Sequence, residues 1–307
     1  MLIDVHCHLT GREYERVGGV AAVLDRARAA GVKAVVCSAF DMDSSYRAAE
    51  LANRFSDVYF CAGFQPQELK KYRDGDLERI AALASDPKCV GIGEIGLDYH
   101  YPDNPLKEQQ KEIFERQIRL ADAAGLPVVV HSRDAAADTL EILRANRAFL
   151  KNGALLHCYS YSKEMVGEFA ALGMYFSFGG TSTFRNAKKV QESARRVPSD
   201  WILSETDSPY LTPVPFRGVF PNEPGNVVHV VRNLAALRNE KEEELEGQIF
   251  SNAERLFFRL AEREQKRFEK RAEKRGKEFE RLPAPQCRAG RRTGERSCAR
   301  KKPGRPG

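Results

Sequence analysis

Short apolar runs alternate with longer amphipathic stretches from the start of the chain to residue 204. Eight runs rich in apolar and β-branched side chains have the length of strands, at residues 2–8, 33–38, 58–63, 89–94, 127–131, 154–157, 174–178 and 201–204. Stretches with helical spacing separate them, at residues 20–30, 44–55, 76–84, 105–124, 135–150, 163–172 and 184–196. Eight alternating strand and helix units within about 250 residues predict an α/β fold of parallel strands, the closed (β/α)8 or TIM barrel. The alternative is an open doubly wound sheet, which binds ligands where its strand order reverses.

Residues able to bind metal ions stand at the ends of five of these runs. They are His6 and His8 in the first run, Glu94 at the end of the fourth, His131 at the end of the fifth, His157 at the end of the sixth and Asp207 just after the eighth. The carboxyl ends of barrel strands direct their side chains into one pocket, so this distribution favours a ring of ligands over a switch point. The pattern predicts metal-dependent hydrolysis.

The spacing of His6 and His8 predicts a shared direction. Residues two apart on a strand lie on the same face, about 6.6 Å apart at about 3.3 Å per residue. Asp4, His6 and His8 are therefore expected on the inner surface of the barrel, with Cys7 on the opposite face. The plainer interpretation is a pair of hydrogen-bonded loop histidines.

Two carboxylates are candidates beside the histidines. Glu94 follows Gly91 and Gly93, which weaken a strand unless another group must come close, and its two oxygens can bridge two cations. A salt-bridging or helix-capping carboxylate is the alternative for Glu94. Near residue 207, spacing alone does not decide between Glu205 and Asp207, although Asp207 lies nearer the pocket and Glu205 suits a supporting acceptor.

Taken together, the motifs resemble those of the TatD-type metal-dependent deoxyribonucleases, which are amidohydrolase-like barrels. The resemblance covers residues 1 to about 258 and is carried by segments 3–8, 93–99, 131–135, 157–160, 205–211, 217–218, 222–224 and 252–257. It implies that His6, His8, Glu94 and Asp207 hold one divalent ion, and that Glu94, His131 and His157 hold the other.

The resemblance also implies a chemistry and a substrate. Two divalent ions, Mg²⁺, Mn²⁺ or Zn²⁺, would activate a shared water and polarise the scissile bond, with Glu94 and Asp207 as catalytic residues and Asp207 as the general base. Nucleic acid is the expected partner, DNA first and RNA or tRNA as further options. The alternatives are a metal-dependent deacylase, acting on D-aminoacyl-tRNA or amides, and a nucleic-acid-binding protein with weakened catalysis.

One segment departs from the family pattern. Where the family reads Gly-x-His-Pro-His, this chain has Gln65 and Gln67 in place of the two histidines. Gln cannot carry the positive charge that a histidine offers to a phosphate. The ligand set is thus complete while the groups that meet the substrate are altered.

Other side chains near the strand ends are weaker candidates. Arg133, Arg185 and Tyr159 follow strands five, seven and six and could hold an anionic substrate, or could be ordinary loop side chains. Asp134 is expected to cap the helix that follows it.

Composition is consistent with an intracellular enzyme. The 307 residues are 42% hydrophobic, enough for one large core, and no apolar stretch approaches the ~20 residues of a membrane span. Charged and metal-binding side chains from Asp4 onward argue against a signal peptide. The 7 cysteines form no C-x-x-C pair, which favours packing roles in a reducing, cytoplasmic compartment. The oligomeric state is left open.

Charge divides the chain into two predicted parts. Residues 259–307 carry 18 Lys or Arg against 7 Asp or Glu, whereas residues 1–258 carry 31 against 36. We therefore expect a barrel domain over 1–258 and a basic tail over 259–307. The tail is predicted to be helical to about residue 281, where opposite charges recur four residues apart, and disordered beyond it.

Overall fold

The computed structural model describes residues 1–260 and contains one eight-stranded parallel sheet within them. The strands pair in sequence order: β1 (Leu2–Cys7), β2 (Val32–Ser38), β3 (Val58–Ala62), β4 (Cys89–Asp98), β5 (Val128–Arg133), β6 (Ala154–Leu156), β7 (Met174–Phe178) and β8 (Ile202–Ser204). All seven neighbouring pairs are parallel. Strand order without a reversal excludes the doubly wound sheet, and the predicted TIM barrel is confirmed.

Backbone and side-chain hydrogen bonds join the last strand to the first. Asp207 N–H donates to the His6 carbonyl at 3.0 Å, and His8 N–H donates to the Ser208 carbonyl at 2.6 Å. Deeper in the barrel, the buried Asp4 carboxylate accepts from the backbone N–H of Thr206 at 2.9 Å and from its hydroxyl at 2.5 Å. Burial raises the pKa of Asp4 to about 8. These bonds close the ring at the point where both elements deliver candidate ligands.

Nine α-helices surround the strands in the described part of the chain. They are α1 (Gly19–Ala29), α2 (Met42–Arg54), α3 (Asp76–Ala84), α4 (Lys107–Ala124), α5 (Ala136–Ala145), α6 (Lys163–Ala170), α7 (Lys188–Arg196), α8 (Val227–Arg238) and α9 (Glu242–Leu256). The first seven match the predicted helices, although the stretches predicted at 135–150 and 184–196 form shorter α-helices with 3-10 turns beside them. Helices α8 and α9 lie beyond the last predicted helix.

Helix α9 packs against β1 and β8 and leads to the base of the barrel. Leu256, Phe257 and Leu260 are buried there, as expected of residues that cover the barrel. Arg259 donates to the carbonyls of Ala84 and Cys89. The predicted tail, helical and then disordered, lies outside the described residues from position 261 onward.

Three cysteines pack in the core, as the sequence predicts. Cys37, Cys61 and Cys89 are buried packing residues, and the five cysteines within residues 1–260 are all free thiols. Among those residues, no helix has the length and apolar character needed to cross a membrane.

Candidate metal centre

A cavity of about 620 Å³ opens at the carboxyl ends of the strands. Its walls contain His8, Phe40, Gln65, Gln67, Glu68, Glu94, Tyr101, His131, Arg133, His157, Asp207, Tyr210 and Leu211. His6 is buried directly beneath, with its ring stacked 3.9 Å from that of His157. The six sequence-predicted ligands, His6, His8, Glu94, His131, His157 and Asp207, therefore come together, and we call them the ligand cluster.

Ser38, at the end of β2, orients both histidines of β1. The Ser38 hydroxyl lies 3.0 Å from His6 Nδ1, and His8 Nδ1 donates to the Ser38 carbonyl at 2.9 Å. Each Nε2 is thereby directed into the cavity. Cys7, between them, bonds the Val36 carbonyl on the opposite face of the strand, as the two-residue period predicts.

Glu94 occupies the centre of the ligand cluster because β4 and β5 approach closely beside it. A Cβ atom on Gly93 would lie 2.6 Å from the Cβ of Val129, so only glycine fits there. The Glu94 carboxylate is buried and divides its oxygens between two groups of histidines. Oε2 lies 3.4 Å from His6 Nε2 and 3.6 Å from His8 Nε2.

The other oxygen of Glu94 faces the histidines of β5 and β6. Oε1 lies 2.6 Å from His131 Nδ1 and 2.9 Å from His157 Nε2. Burial raises the pKa of Glu94, but His157 and His131 outweigh that effect and hold the pKa well below its usual range. Glu94 is an anion with one oxygen for each half of the cluster, the arrangement that a bridging ligand requires.

Two buried carboxylates lie beside the outer nitrogens of those histidines, and one of them is within hydrogen-bond distance. Asp98, at the end of β4, lies 2.9 Å from His131 Nε2, and a neutral His131 that donates to Asp98 presents its Nδ1 lone pair to the cavity. The Glu205 carboxylate lies 3.7 Å from His157 Nδ1 and accepts from the Ser177 hydroxyl at 2.5 Å. Glu205 thus lies behind His157, while Asp207 faces the cavity.

Asp207 reaches the cluster through a left-handed turn after β8. Its φ of 53° is uncommon for a residue other than glycine. The turn places Oδ1 at 3.2 Å from His8 Nε2 and 3.8 Å from His6 Nε2. Its side chain is 14% exposed, against 1% for Glu94, so Asp207 has the better access to solvent and substrate.

The donors in this cluster fit divalent metal ions. Where the outer nitrogens of His6, His8 and His131 donate to Ser38 and Asp98, the inner nitrogens carry lone pairs that face carboxylate oxygens, and two acceptors cannot share a hydrogen bond. His6 Nε2 and Glu94 Oε2 are buried without a hydrogen-bond partner, which is costly unless a cation or a proton lies between them. Among the described residues, three groups bring their ligand atoms within 4.8 Å of one another: His6 with His157 and Glu205, His6 with His8 and Asp207, and Glu94 with His131 and His157. The last two groups share no residue. Imidazole and carboxylate donors suit Zn²⁺, Mn²⁺ and related ions.

Of the three weaker candidates for binding an anionic substrate, one lines the cavity and two do not. Arg133 lines the cavity. Tyr159 is instead buried among aromatic rings and donates to the Ser162 carbonyl, and Arg185 is exposed and absent from the cavity wall. The expectation that Asp134 caps α5 was wrong, because α5 has no side-chain cap and Asp134, at φ 52°, contacts His100 Nδ1 at 2.8 Å.

Both glutamines of the divergent segment contact carboxylates of the site. Gln65 Nε2 donates to Glu94 Oε1 at 3.0 Å, and Gln67 Nε2 donates to Asp98 Oδ2 at 2.9 Å. Gln65 therefore contacts Glu94 and also lines the cavity.

Ser38 and Asp98 are supporting residues that the sequence did not single out. Asp98 lies in segment 93–99, which carries part of the family resemblance. The fourth strand was expected to end at Glu94, but β4 continues to Asp98. The signal was an acidic residue four positions after Glu94, on the same side of an extended strand. Ser38 carries no comparable signal, because a serine at a strand end is common.

Comparisons with known proteins point the same way. The model of the family described as "TatD related DNase" matches residues 3–258. The uncharacterised metal-dependent hydrolase YabD of Bacillus subtilis (strain 168) is 39% identical over 257 residues, covering 84% of this chain and 99% of that protein. A Cronobacter turicensis relative called 3'-5' ssDNA/RNA exonuclease TatD is 33% identical over 264 residues, covering 85% and 99%. The crystal structure of the TatD homologue YjjV from Escherichia coli K12 superposes with a TM-score of 0.78 at 31% identity, covering 83% and 97%.

Proposed function

The chain belongs to the TatD family of metal-dependent hydrolases, and on that premise we propose that it cleaves phosphodiester bonds in nucleic acid, with DNA as the first candidate substrate. The observation that carries the proposal is the central position of Glu94, whose two oxygens face two separate groups of ligand atoms. Such a carboxylate suits a centre of two ions.

We assign one ion to His6, His8, Glu94 and Asp207 and the other to Glu94, His131 and His157. Mg²⁺, Mn²⁺ or Zn²⁺ in these positions would supply an acidified water and would polarise the scissile phosphoryl group. The chain itself supplies the orientation. Ser38 orients the imidazoles of His6 and His8 and Asp98 orients that of His131, so that three of the four inner nitrogens are directed into the cavity before an ion binds.

Asp207 is the proposed general base. Its carboxylate lines the cavity. Burial raises the pKa of Asp207, but the contacts with His8 and the other histidines outweigh burial and hold the pKa below its ordinary value, which favours the ionised form. Its partial exposure lets a proton taken at Oδ1 or Oδ2 pass on to solvent. Glu94 is too buried for that exchange and acts by holding both halves of the cluster together.

A polyanionic substrate is supported by the mouth of the cavity and by a relative. Arg133 lines the cavity beside the cluster and can bind a phosphate. The relative from Cronobacter turicensis is described as an exonuclease on single-stranded DNA and RNA. The 18 basic residues of segment 259–307 would add attraction that does not depend on sequence.

The proposal is tested with full-length protein stripped by a chelator and reloaded with Mg²⁺, Mn²⁺ or Zn²⁺ separately. Elemental analysis should show about two equivalents of metal per chain, as for a two-ion centre. Short DNA, short RNA, D-aminoacyl-tRNA and bis(p-nitrophenyl) phosphate are then compared as substrates. We expect metal-dependent release of nucleotides from DNA and cleavage of the small phosphodiester.

Two results would contradict the proposal in different ways. Hydrolysis of D-aminoacyl-tRNA without cleavage of any phosphodiester would make the chain a deacylase. Tight oligonucleotide binding without cleavage of any substrate, under every metal, would indicate a binding protein with weakened catalysis.

A further inference from the structure

Large aromatic side chains stand exposed where the cavity meets the surface. Tyr210 and Phe220 are each 53% exposed, and Tyr101 on the opposite wall is 44% exposed. Water contact over so much ring surface is unfavourable, and apolar groups clustered at a cavity mouth usually mark a contact surface. We call these three residues the aromatic rim.

Two residues of the aromatic rim form a continuous path out of the ligand cluster. The Tyr210 ring lies 6.4 Å from the His8 ring and 6.4 Å from the Phe220 ring. Tyr210 also lines the cavity, whereas Phe220 does not. A ligand anchored at the ligand cluster and extending past Tyr210 would next meet Phe220.

The backbone beneath this path is held in place. The side-chain amide of Asn222 donates to the carbonyls of Thr206 at 3.1 Å and Tyr210 at 2.7 Å, and its backbone N–H donates to the Pro209 carbonyl at 2.8 Å. The buried Asn222 thus ties the segment that carries the rings to the end of β8. The rings are presented on a preformed support, which lowers the entropy that a ligand must offset on binding.

The opposite wall combines an aromatic face with a cation. The Arg133 guanidinium lies 5.1 Å from the centroid of the Tyr101 ring and donates to its hydroxyl at 3.3 Å. That contact positions Arg133 at the cavity, where its charge also acts on the Asp98 carboxylate. One wall therefore offers ring faces and the other a ring with a positive charge.

We propose that the aromatic rim stacks the unpaired bases of a single-stranded nucleic acid. Tyr210 and Phe220 take successive bases beside the scissile linkage, and Arg133 binds a neighbouring phosphate. The inference rests on the proposed function, because it places the scissile phosphate at the ligand cluster. Ring faces beside a cation are how proteins hold single strands without reading sequence, since every base has a face to stack.

A duplex fits this arrangement poorly. Paired bases hide their faces in the stack, so they cannot reach Tyr210 or Phe220 without unpairing, which costs energy. A protein partner docked on the same rings would cover the cavity that leads to the ligand cluster. Single-stranded nucleic acid satisfies both the exposed rings and the positive charge while leaving the reactive linkage over the cluster.

The test uses full-length metal-loaded protein and short oligodeoxynucleotides with phosphorothioate linkages, which slow cleavage. A 2-aminopurine placed near one end or the other reports stacking through quenching of its fluorescence. Phe220→Ala should weaken single-strand affinity about tenfold and remove the quenching, within the range usual for loss of one stacked base. Phe220→Tyr keeps a ring and should behave as the unmodified protein, while Phe220→Leu keeps apolar bulk only and should weaken binding as Phe220→Ala does. Tyr46→Ala, an exposed tyrosine on α2 outside the cavity wall, is the matched control.

Kinetics on cleavable oligonucleotides provide a second readout. Phe220→Ala should raise KM and leave kcat nearly unchanged, because the ring contacts the bases in ground and transition states alike.

Wild-type affinity in Phe220→Leu, or equal affinity for single strand and duplex, overturns the proposal. If no substitution in the aromatic rim alters oligonucleotide binding, the surface serves a protein partner instead and the proposal is also wrong. Metal-dependent cleavage of bis(p-nitrophenyl) phosphate by the unmodified protein, measured in parallel, separates these outcomes from a failure of the proposed function.

Discussion

The ligand cluster and the aromatic rim lie side by side in one cavity but are built by opposite means. Glu94 and His6 are almost fully buried, and further buried groups hold the histidines of the cluster from behind. Tyr210 and Phe220 are about half exposed, and the Tyr210 ring has the Phe220 and His8 rings as neighbours.

This difference separates the work of the two regions. Buried donors in fixed positions bind ions and hold charge, because burial strengthens electrostatic interactions and fixed geometry avoids reorganisation. We expect the exposed rings to contribute affinity for a substrate without affecting metal binding. Changes in the ligand cluster should therefore reduce metal content and turnover together, and changes at the rim should alter substrate preference alone.

The largest effect is expected from Glu94→Gln, which keeps the shape of the side chain and removes its charge. Both halves of the ligand cluster lose a ligand, so metal content should fall well below two equivalents. Turnover should fall more than about 100-fold, since even groups behind the ligands commonly contribute about 10- to 100-fold. Elemental analysis and kinetics on bis(p-nitrophenyl) phosphate measure both, with Glu112→Gln on the exposed face of α4 as the control. Full occupancy and full activity would show that the centre has been assigned to the wrong residues.

A smaller loss is expected when a supporting carboxylate is changed. Asp98→Asn removes the charge that fixes the orientation of His131, and we expect metal affinity about 10- to 100-fold weaker. Calorimetric titration of metal into chelator-stripped protein measures the effect directly. Asp103→Asn, at an exposed position in the following loop, should leave the affinity unchanged. If Asp98→Asn and Asp103→Asn bind metal with equal affinity, Asp98 does not support metal binding through His131.

Deletion of most of the basic segment 259–307 tests whether the aromatic rim accounts for all of the affinity for nucleic acid. Removing residues 261–307 should weaken oligonucleotide binding and flatten its salt dependence, by about 0.7 to 0.9 in slope for each phosphate that the segment neutralises. Turnover on a small phosphodiester and thermal stability should hold, since all six ligands and the buried Leu256, Phe257 and Leu260 remain. Binding at several salt concentrations decides the matter, and equal slopes would leave the segment without a role in binding.

The smallest effect is expected at Gln65, which lines the cavity and contacts Glu94. Gln65→His could deliver a proton near the leaving group, and we expect a rise in turnover on DNA well below the roughly 100-fold of a well-placed acid. Steady-state kinetics measure it. Gln65→Ala serves for comparison, since it only removes the hydrogen bond to Glu94. A loss in Gln65→His as large as that in Gln65→Ala would mean that the amide bond to Glu94 is what matters at this position.

Local pattern was enough to predict the barrel and to select side chains that meet at the carboxyl ends of its strands. The two-residue period predicted which side chains of β1 face inward, and Gly91 and Gly93 pointed to the close approach that brings Glu94 to the centre. Helices α8 and α9 were not predicted, because the Pro- and Gly-rich segment before them interrupts the regular alternation of strands and helices. The Asp134 cap was wrong because the chain enters a left-handed turn there, which a short polar side chain tolerates as readily as it caps a helix.

The sequence by itself determined the eight-unit fold and the chemical types of the ligands, because both follow from periodicities of a few residues and from the side chains present. Only the tertiary structure decided how the oxygens of Glu94 divide between the histidines, that Ser38 and Asp98 set the imidazole orientations, and that Tyr210 and Phe220 stand beside the cluster. These contacts join residues from different strands and loops, with separations of 32 to 88 residues for several of them. Closing the barrel sets such distances, and no local pattern contains them.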